Sequence, residues 1–340
     1  MKHLTDKEFA LFEQLVGLTQ DGLKKALSTF LQTKYKNIVE TKDYILAEGN
    51  IPIALVAHMD TVFAAPPSEV FYDTTRNVIW GNNGLGADDR AGIFIMMRLI
   101  QKGLRPHIIL TTDEERGCLG AMQLAKIEQP FEDLRYIIQL DRRNEADCVF
   151  YDCDNPDFEK YVETFGFVTA IGTLSDICEI CPAWEIAGVN LSVGYVDEHT
   201  LAERLYVHAL LTTLERVKKM LTVNEMPEKF KYIPIPYPTT IYNGIKYNFL
   251  DDEVVCAFCL KSHSEEECFP VRTVYGGYKF YCPDCIGLTD YVEWCEVCGN
   301  PYELVSKLEE GVKPICHDCK KYLAESMPVR VEVEVKDDKD

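Results

Sequence analysis

The sequence of 340 residues has no stretch of eighteen or more apolar residues, which removes a membrane-spanning helix from consideration. Its opening, MKHLTDKEFALFEQL, sets acidic residues into the apolar pattern and lacks the core of a signal peptide. A cytoplasmic location is therefore expected, with no membrane contact. Basic residues are scarce, 35 Lys and Arg against 55 Asp and Glu, for a net charge of −20. Such a surface repels phosphate backbones, so nucleic acid is not expected as a partner. Fourteen cysteines without a secretory leader argue against a disulfide framework and for thiols as metal ligands. No internal repeat is evident before residue 222.

The apolar fraction of 47% is ordinary for a globular chain. The length exceeds one typical domain, so a large domain and a smaller one are expected. Thr5, with Glu8 three residues on, reads as a capping box that opens an amphipathic helix. Up to residue 222, short apolar strands alternate with helical patterns. The strands are Ile51–Ala57, His107–Thr111, Tyr136–Leu140 and Val189–Val193; the helices are Ala91–Gln101, Leu119–Ile127 and Thr200–Leu221. This alternation predicts an α/β fold, with a mostly parallel central sheet flanked by helices. Residues 223–250 are rich in proline and read as an extended linker. Residues 251–325 are rich in cysteine, and 326–340 form an acidic tail.

The apolar run Ala54-Leu55-Val56-Ala57 stops at His58-Met59-Asp60. Residues two apart on an extended chain share a face, so His58 and Asp60 project together from a strand end. Alone, this pattern is most often a polar strand terminus. But the next strands also end in carboxylates, at Asp113-Glu114-Glu115 and at Asp141, while Asp88-Asp89 and His199 lie at helix starts. In a parallel sheet these ends form one edge, where ligands gather. So many like charges require neutralising cations. Mixed imidazole and carboxylate donors suit zinc, cobalt or manganese.

The residues 50–205 resemble the co-catalytic di-zinc exopeptidases, the superfamily of peptidase T, related aminopeptidases, glutamate carboxypeptidases and N-acyl-amino-acid deacylases. The H-x-D motif is matched by His58-Met59-Asp60, G-A-D-D-[KR]-[AG]-G by Gly86 to Gly92, and D-E-E-x-G by Asp113 to Gly117. The strand-end aspartate is matched by Asp141, and G-Y-x(3)-H by Gly194-Tyr195 and His199. The resemblance implies that Asp88 bridges two divalent metals about 3.5 Å apart. His58 and Asp141 would complete one metal, Glu115 and His199 the other. Asp60 would fix the tautomer of His58. Glu114 would act as general base toward a water bridging the metals and pass its proton to the leaving amine. An aspartate at the position of Asp141 goes, in this superfamily, with aminopeptidases and dipeptidases. The interval from Asp141 to His199 is too short for the domain inserted in peptidase T, so the layout resembles the lid-free aminopeptidases.

Several neighbours read more simply. Asp89 and Asp113 are taken as structural, and His3, His107 and His208 as surface or packing residues. Ser175-Asp176 is equally a substrate contact or a helix N-cap. Glu203 either supports His199 or faces solvent. Cys178 and Cys181 lack a partner pair.

In the cysteine-rich region, Cys256 and Cys259 pair naturally with Cys282 and Cys285, and Cys295 and Cys298 with Cys316 and Cys319. This spacing marks two four-cysteine zinc ribbons, structural sites without an open position. His263, Cys268 and His317 are alternative ligands, and a cross-braced pairing stays open. The acidic character of the region favours a protein partner or self-association. The leading expectation is thus a metal-dependent exopeptidase, an aminopeptidase, with two catalytic and about two structural metals. An N-acyl-amino-acid deacylase is the first alternative. A zinc-ribbon adaptor with a peptide-binding, non-catalytic hydrolase domain is the second, and the presence of Glu114 counts against it.

Overall fold

The computed structural model describes residues 2–234, 239–242, 245–248, 253–259, 261–264, 267–272, 278–288, 292–297, 300–304, 313–316 and 320. The chain divides into two compact units, Met1–Pro236 and Tyr237–Asp340.

The first unit opens with α1 (Asp6–Val16) and α2 (Gln20–Gln32). Thr5 and Glu8 form a reciprocal capping box at the start of α1, which satisfies two otherwise unpaired donors. There follow β1 (Ile38–Glu40), β2 (Tyr44–Ala47), β3 (Ile51–His58), β4 (Val70–Asp73), β5 (Val78–Gly81), α3 (Ala87–Gln101) and β6 (Pro106–Thr111). After a 3-10 turn at Glu114–Arg116 come α4 (Leu119–Leu124), β7 (Tyr136–Arg142), β8 (Asp147–Val149), α5 (Pro156–Glu163) and β9 (Val168–Thr169). The unit continues with α6 (Asp176–Trp184), β10 (Gly188–Ser192), β11 (Tyr195–Val196), β12 (Arg204–Tyr206) and α7 (Val207–Leu221).

Eight strands form one sheet in the order β1-β2-β6-β3-β7-β10-β8-β9. Its four central strands, β6, β3, β7 and β10, run parallel. Strands covered on both faces need apolar side chains on both, which explains their unbroken hydrophobic runs. In β3 the alternation is explicit. Ile53, Leu55 and Ala57 join the large core that contains α1, α3 and α7 residues. Ala54 and Val56 join the smaller core built with α4 and α6 residues. The sheet is therefore sandwiched between helical layers, and its parallel strands deliver their C-terminal ends to one edge.

Two sequence expectations differ from the structure. The helix expected from Thr200 starts only at Val207, because Arg204–Tyr206 pair with Val78–Trp80 in a second sheet. His199 accordingly lies in the loop before β12, with a positive φ of 62°, and not immediately before a helix. The expected linker does not begin as a free connector at residue 223. Phe230 exchanges backbone bonds with Arg135 and Ala187, and its ring packs against Tyr136, Phe158 and Tyr161. The first unit therefore runs on to Pro236.

The second unit contains a hairpin of Thr239–Tyr242 with Ile245–Asn248, inside the span expected to be linker. A second hairpin joins Glu253–Val255 to Ser262–Ser264. A four-stranded sheet has the order Tyr278–Tyr281, Phe269–Arg272, Pro301–Glu303, Val292–Trp294. Cysteines make up its buried cluster, Cys256, Cys268, Cys282 and Cys285. The acidic tail at 326–340 lies outside the described residues. Among the described residues, no helix is long and apolar enough to cross a membrane.

Candidate metal centre and active site

β3 ends at His58, and the chain leaves the sheet through Met59 and Asp60. His58 Nδ1 lies 3.1 Å from Asp60 Oδ1, while Nε2 faces Asp88 Oδ1 at 3.0 Å and Asp141 Oδ1 at 3.5 Å. All four side chains are buried. Asp88 enters from the distorted first turn of α3, where the Asp88–Asp89 peptide is cis. Its other oxygen, Oδ2, stands 3.2 Å from His199 Nε2, which is also 3.0 Å from Glu115 Oε2. Three potential ligand groups result, His58–Asp88–Asp141, Asp88–Glu115–His199 and His58–Glu114–Glu115, and Asp88 belongs to the first two. The His199 ring is half exposed, so the second group borders solvent.

These separations fit metal ligation. Two donors each about 2.0–2.1 Å from a tetrahedral zinc stand about 3.3 Å apart. The four separations from His58 and His199 to carboxylates other than Asp60 span 3.0–3.5 Å. Glu115 Oε1 is buried with no hydrogen-bond partner among the described residues, a costly arrangement for a carboxylate that lacks a cation. The electrostatics agree. Burial, and then the negative charges of Asp141, Asp176 and Asp88, push Glu114 up to about 9. Burial and the charge of Asp88 push Asp141 up to about 7. Asp88 escapes that fate: burial opposes its ionisation, but hydrogen bonds with His199 and His58 hold it below the usual carboxylate range. Divalent cations at the first two groups would return the carboxylates to their ionised forms.

The cluster is held by a scaffold of hydrogen bonds. Asp60 Oδ1 and Oδ2 accept the backbone N–H groups of Glu114 and Glu115, each at 3.0 Å. Asp60 thereby fixes both the His58 ring and the turn that carries the glutamates. That turn closes at Gly117, whose φ of 94° is open to glycine without strain. Asp141 is held from three sides, by Gln139 Nε2 at 3.0 Å, Ser175 Oγ at 3.1 Å and the Tyr195 hydroxyl at 3.1 Å. Asn190 binds the backbone of Asp141 through both ends of its amide. Glu203 is buried and accepts the backbone N–H of Gly86 at 2.6 Å and of Asp88 at 3.0 Å. It thus supports Asp88 rather than His199.

The remaining candidates take other positions. Asp89 accepts the backbone N–H of Gly92, and Asp113 pairs with Arg116; neither belongs to a ligand group among the described residues. Ser175 touches Asp141, while Asp176 is buried and accepts the Thr111 hydroxyl. His107 stacks on Phe131 at 4.2 Å, His208 pairs with Glu145, and His3 meets Tyr72. Cys178 accepts the backbone N–H of Ser175, and Cys181 is buried in the α6 core. The roles of Gln139, Asn190 and Tyr195 went unread in the sequence.

In the second unit, the sulfurs of Cys256, Cys259, Cys282 and Cys285 lie within 4.8 Å of one another. Cys259 and Cys282 are 4.0 Å apart, against about 3.8 Å for two thiolates on a tetrahedral zinc with Zn–S bonds of about 2.3 Å. His263 Nε2 is 3.7 Å from the Cys259 sulfur, and Cys268 shares the buried cluster. Cys295 accepts the backbone N–H of Cys316 at 3.3 Å. Cys298, Cys319 and His317 lie outside the described residues.

Residues 40–166 match the family model described as Peptidase family M28. No curated protein matches the sequence. Among solved structures, the chain is similar to aminopeptidase PepT from Bacillus cereus, at 15% identity and a TM-score of 0.52 over 63% of this chain and 96% of that one. A tripeptidase from Staphylococcus aureus matches at 14% identity and a TM-score of 0.52, over 64% and 98%. The TET aminopeptidase of a marine sediment Thaumarchaeota archaeon matches at 12% identity and a TM-score of 0.53, over 65% and 98%. At such identities the structural likeness speaks for the fold.

Proposed function

We propose that the chain is a member of the co-catalytic zinc exopeptidase superfamily, a metal-dependent, aminopeptidase-like hydrolase that removes residues from the amino end of peptides at the His58–His199 cluster, a reading supported by the family match over residues 40–166 and by the fold it shares with aminopeptidases. The observation that carries this reading is Asp88, shared by two ligand groups. His58 and Asp141 would hold one cation with it, and Glu115 and His199 a second. Two zinc ions, or cobalt or manganese, would supply Lewis acidity toward a scissile carbonyl and a nucleophile at neutral pH.

The chain's own residues supply the rest. Glu114 accepts a proton from the attacking water and delivers it to the leaving amine. Asp60 draws the Nδ1 proton of His58 and leaves Nε2 free as a donor to metal. Tyr195, Ser175 and Gln139 fix the orientation of Asp141 in the same way. The Cys256–Cys259–Cys282–Cys285 cluster and the Cys295–Cys316 pair would hold structural zinc and stabilise a unit with little apolar core. A protein partner or self-association at that unit fits its acidity, and a cytoplasmic setting fits the use of its thiols as metal ligands rather than in disulfides.

The test is a screen of metal-loaded protein against aminoacyl, dipeptide and N-acyl-amino-acid substrates. Hydrolysis of the first two and not the third supports the proposal. Turnover confined to N-acyl substrates would replace it with a deacylase.

A further inference from the structure

A cleft of about 500 Å³ opens in the first unit beside Glu115 and Asp60, within the size range of small-molecule sites. One wall is the loop after β3, Thr61-Val62-Phe63-Ala64-Ala65-Pro66-Pro67, with six apolar residues in succession. Another is the turn between α1 and α2, which contributes Val16 and Leu18. Val62, Ala64 and Ala65 are exposed. In a chain of net charge −20, an exposed apolar loop at the rim of a polar site marks a place of ligand contact. Pro66 and Pro67 have no N–H to donate, so recognition there is by shape and apolar contact.

The cleft is built in advance. Buried Arg90 donates to the carbonyls of Leu15 and Leu18, each at 3.2 Å, and to those of Met59 at 2.5 Å and Asp60 at 3.1 Å. One guanidinium therefore ties the α1–α2 turn to the end of β3. The Phe63 ring lies where a side chain on Gly84 would be and would overlap a Cβ there, so glycine is required for the wall. Fixed walls spare a ligand the cost of ordering them. The charged lining is carboxylate-rich, with Asp60, Asp113 and Glu115, and its exposed guanidinium, Arg116, is paired with Asp113 at 3.3 Å.

We propose that this cleft receives a substrate side chain flanking the scissile bond and selects large apolar ones, Leu, Met or Phe, over Ala or charged residues. The inference rests on the aminopeptidase reading for its substrate class. Its test measures kcat/KM on aminoacyl anilides and on Ala-X dipeptides that carry Leu, Met, Phe, Ala, Asp or Lys at the varied position. One of the two panels shows a preference for Leu and Phe over Ala of about tenfold or more. Ala64→Trp and Ala65→Trp, both on the exposed loop, cut the kcat/KM ratio of Leu or Phe substrates to Ala substrates about tenfold. Calorimetric binding of L-leucinamide weakens in parallel, while metal content stays unchanged. A preference for Asp or Lys, or an equal effect of both variants on all substrates, would overturn the inference. If the wild-type protein hydrolyses nothing in either panel, the aminopeptidase reading fails. The cleft then stands if binding of L-leucinamide or of L-alanyl-L-leucine is still lost in the variants, and falls if neither binds.

Discussion

Glu203 accepts the backbone N–H of Asp88 at 3.0 Å, so one buried carboxylate sets the position of the carboxylate shared by both ligand groups. Burial, with the charge of Asp88 acting in the same direction, pushes Glu203 up to about 7; its hydrogen bonds to Gly86 and Asp88 work against that rise. Glu203→Gln leaves one acceptor for two donors and turns an amide NH2 toward a backbone N–H. Loss of such support under a metal ligand typically costs about 10–100-fold in affinity, and a loss of about that size is expected here. Titration of cobalt(II) into metal-stripped protein, followed by absorbance, measures it. Unchanged affinity in a folded variant would remove Glu203 from the support of the site.

Glu114→Gln tests the proton carrier. The substitution keeps size and hydrogen bonding but removes the base, so turnover should fall by about 10²–10⁴. Glu114 belongs with His58 and Glu115 to a third potential ligand group, so metal content must be measured in the same preparation. Full metal content with lost turnover identifies a proton carrier. Metal loss would make Glu114 a ligand, and near-normal turnover would make it neither.

Three of the ligand candidates, His58, Glu115 and Asp141, were legible because each follows an apolar run at its polar end, and in a parallel sheet those ends share an edge; Asp88 and His199 were read through the motifs of the resembled family. The supports were not legible in the same way. Asn190 reaches Asp141 because β10 neighbours β7, and Tyr195 reaches it through the turn after β10. Strand order is a long-range property that the spacing of residues does not encode. The same blindness misplaced the start of α7. Arg204-Leu205-Tyr206 fits a helical pattern locally, yet pairs with Val78-Ile79-Trp80, more than a hundred residues away. Prolines in the connector argue against helix, and its described residues form none, but the aromatic cluster that captures Phe230 draws on Tyr136, Phe158 and Tyr161.

Metal removal should proceed in two stages. A count of about four metals per chain is expected, two held by thiolates and two exchangeable, since structural thiolate sites bind far more tightly. Mild chelation should abolish hydrolysis while the far-ultraviolet circular dichroism stays unchanged, and zinc, cobalt or manganese should restore it. Thiol-specific release of metal should require a mercurial reagent. Elemental analysis that finds two metals, both released by the mercurial, would count against metals at the His58–His199 cluster.

The last expectation concerns the boundary between the units. Every proposed ligand of the hydrolytic site lies between His58 and His199, and the first compact unit ends at Pro236. Phe230 packs into the aromatic cluster of that unit, and Tyr232 donates its backbone N–H to Glu185. A truncation before Phe230 should therefore expose Tyr136 and Phe158 and lower the melting temperature, by several degrees for each kcal/mol lost. A truncation after Pro236 removes none of these contacts. It should fold, bind two exchangeable metals, and hydrolyse an aminoacyl anilide within about tenfold of the full chain, roughly 1.4 kcal/mol in the barrier. The decisive outcome is a folded, two-metal truncation that is inactive on the anilide. It would assign part of the reaction, such as stabilisation of the developing oxyanion, to residues from Tyr237 onward, and the division of labour between the units would have to be redrawn.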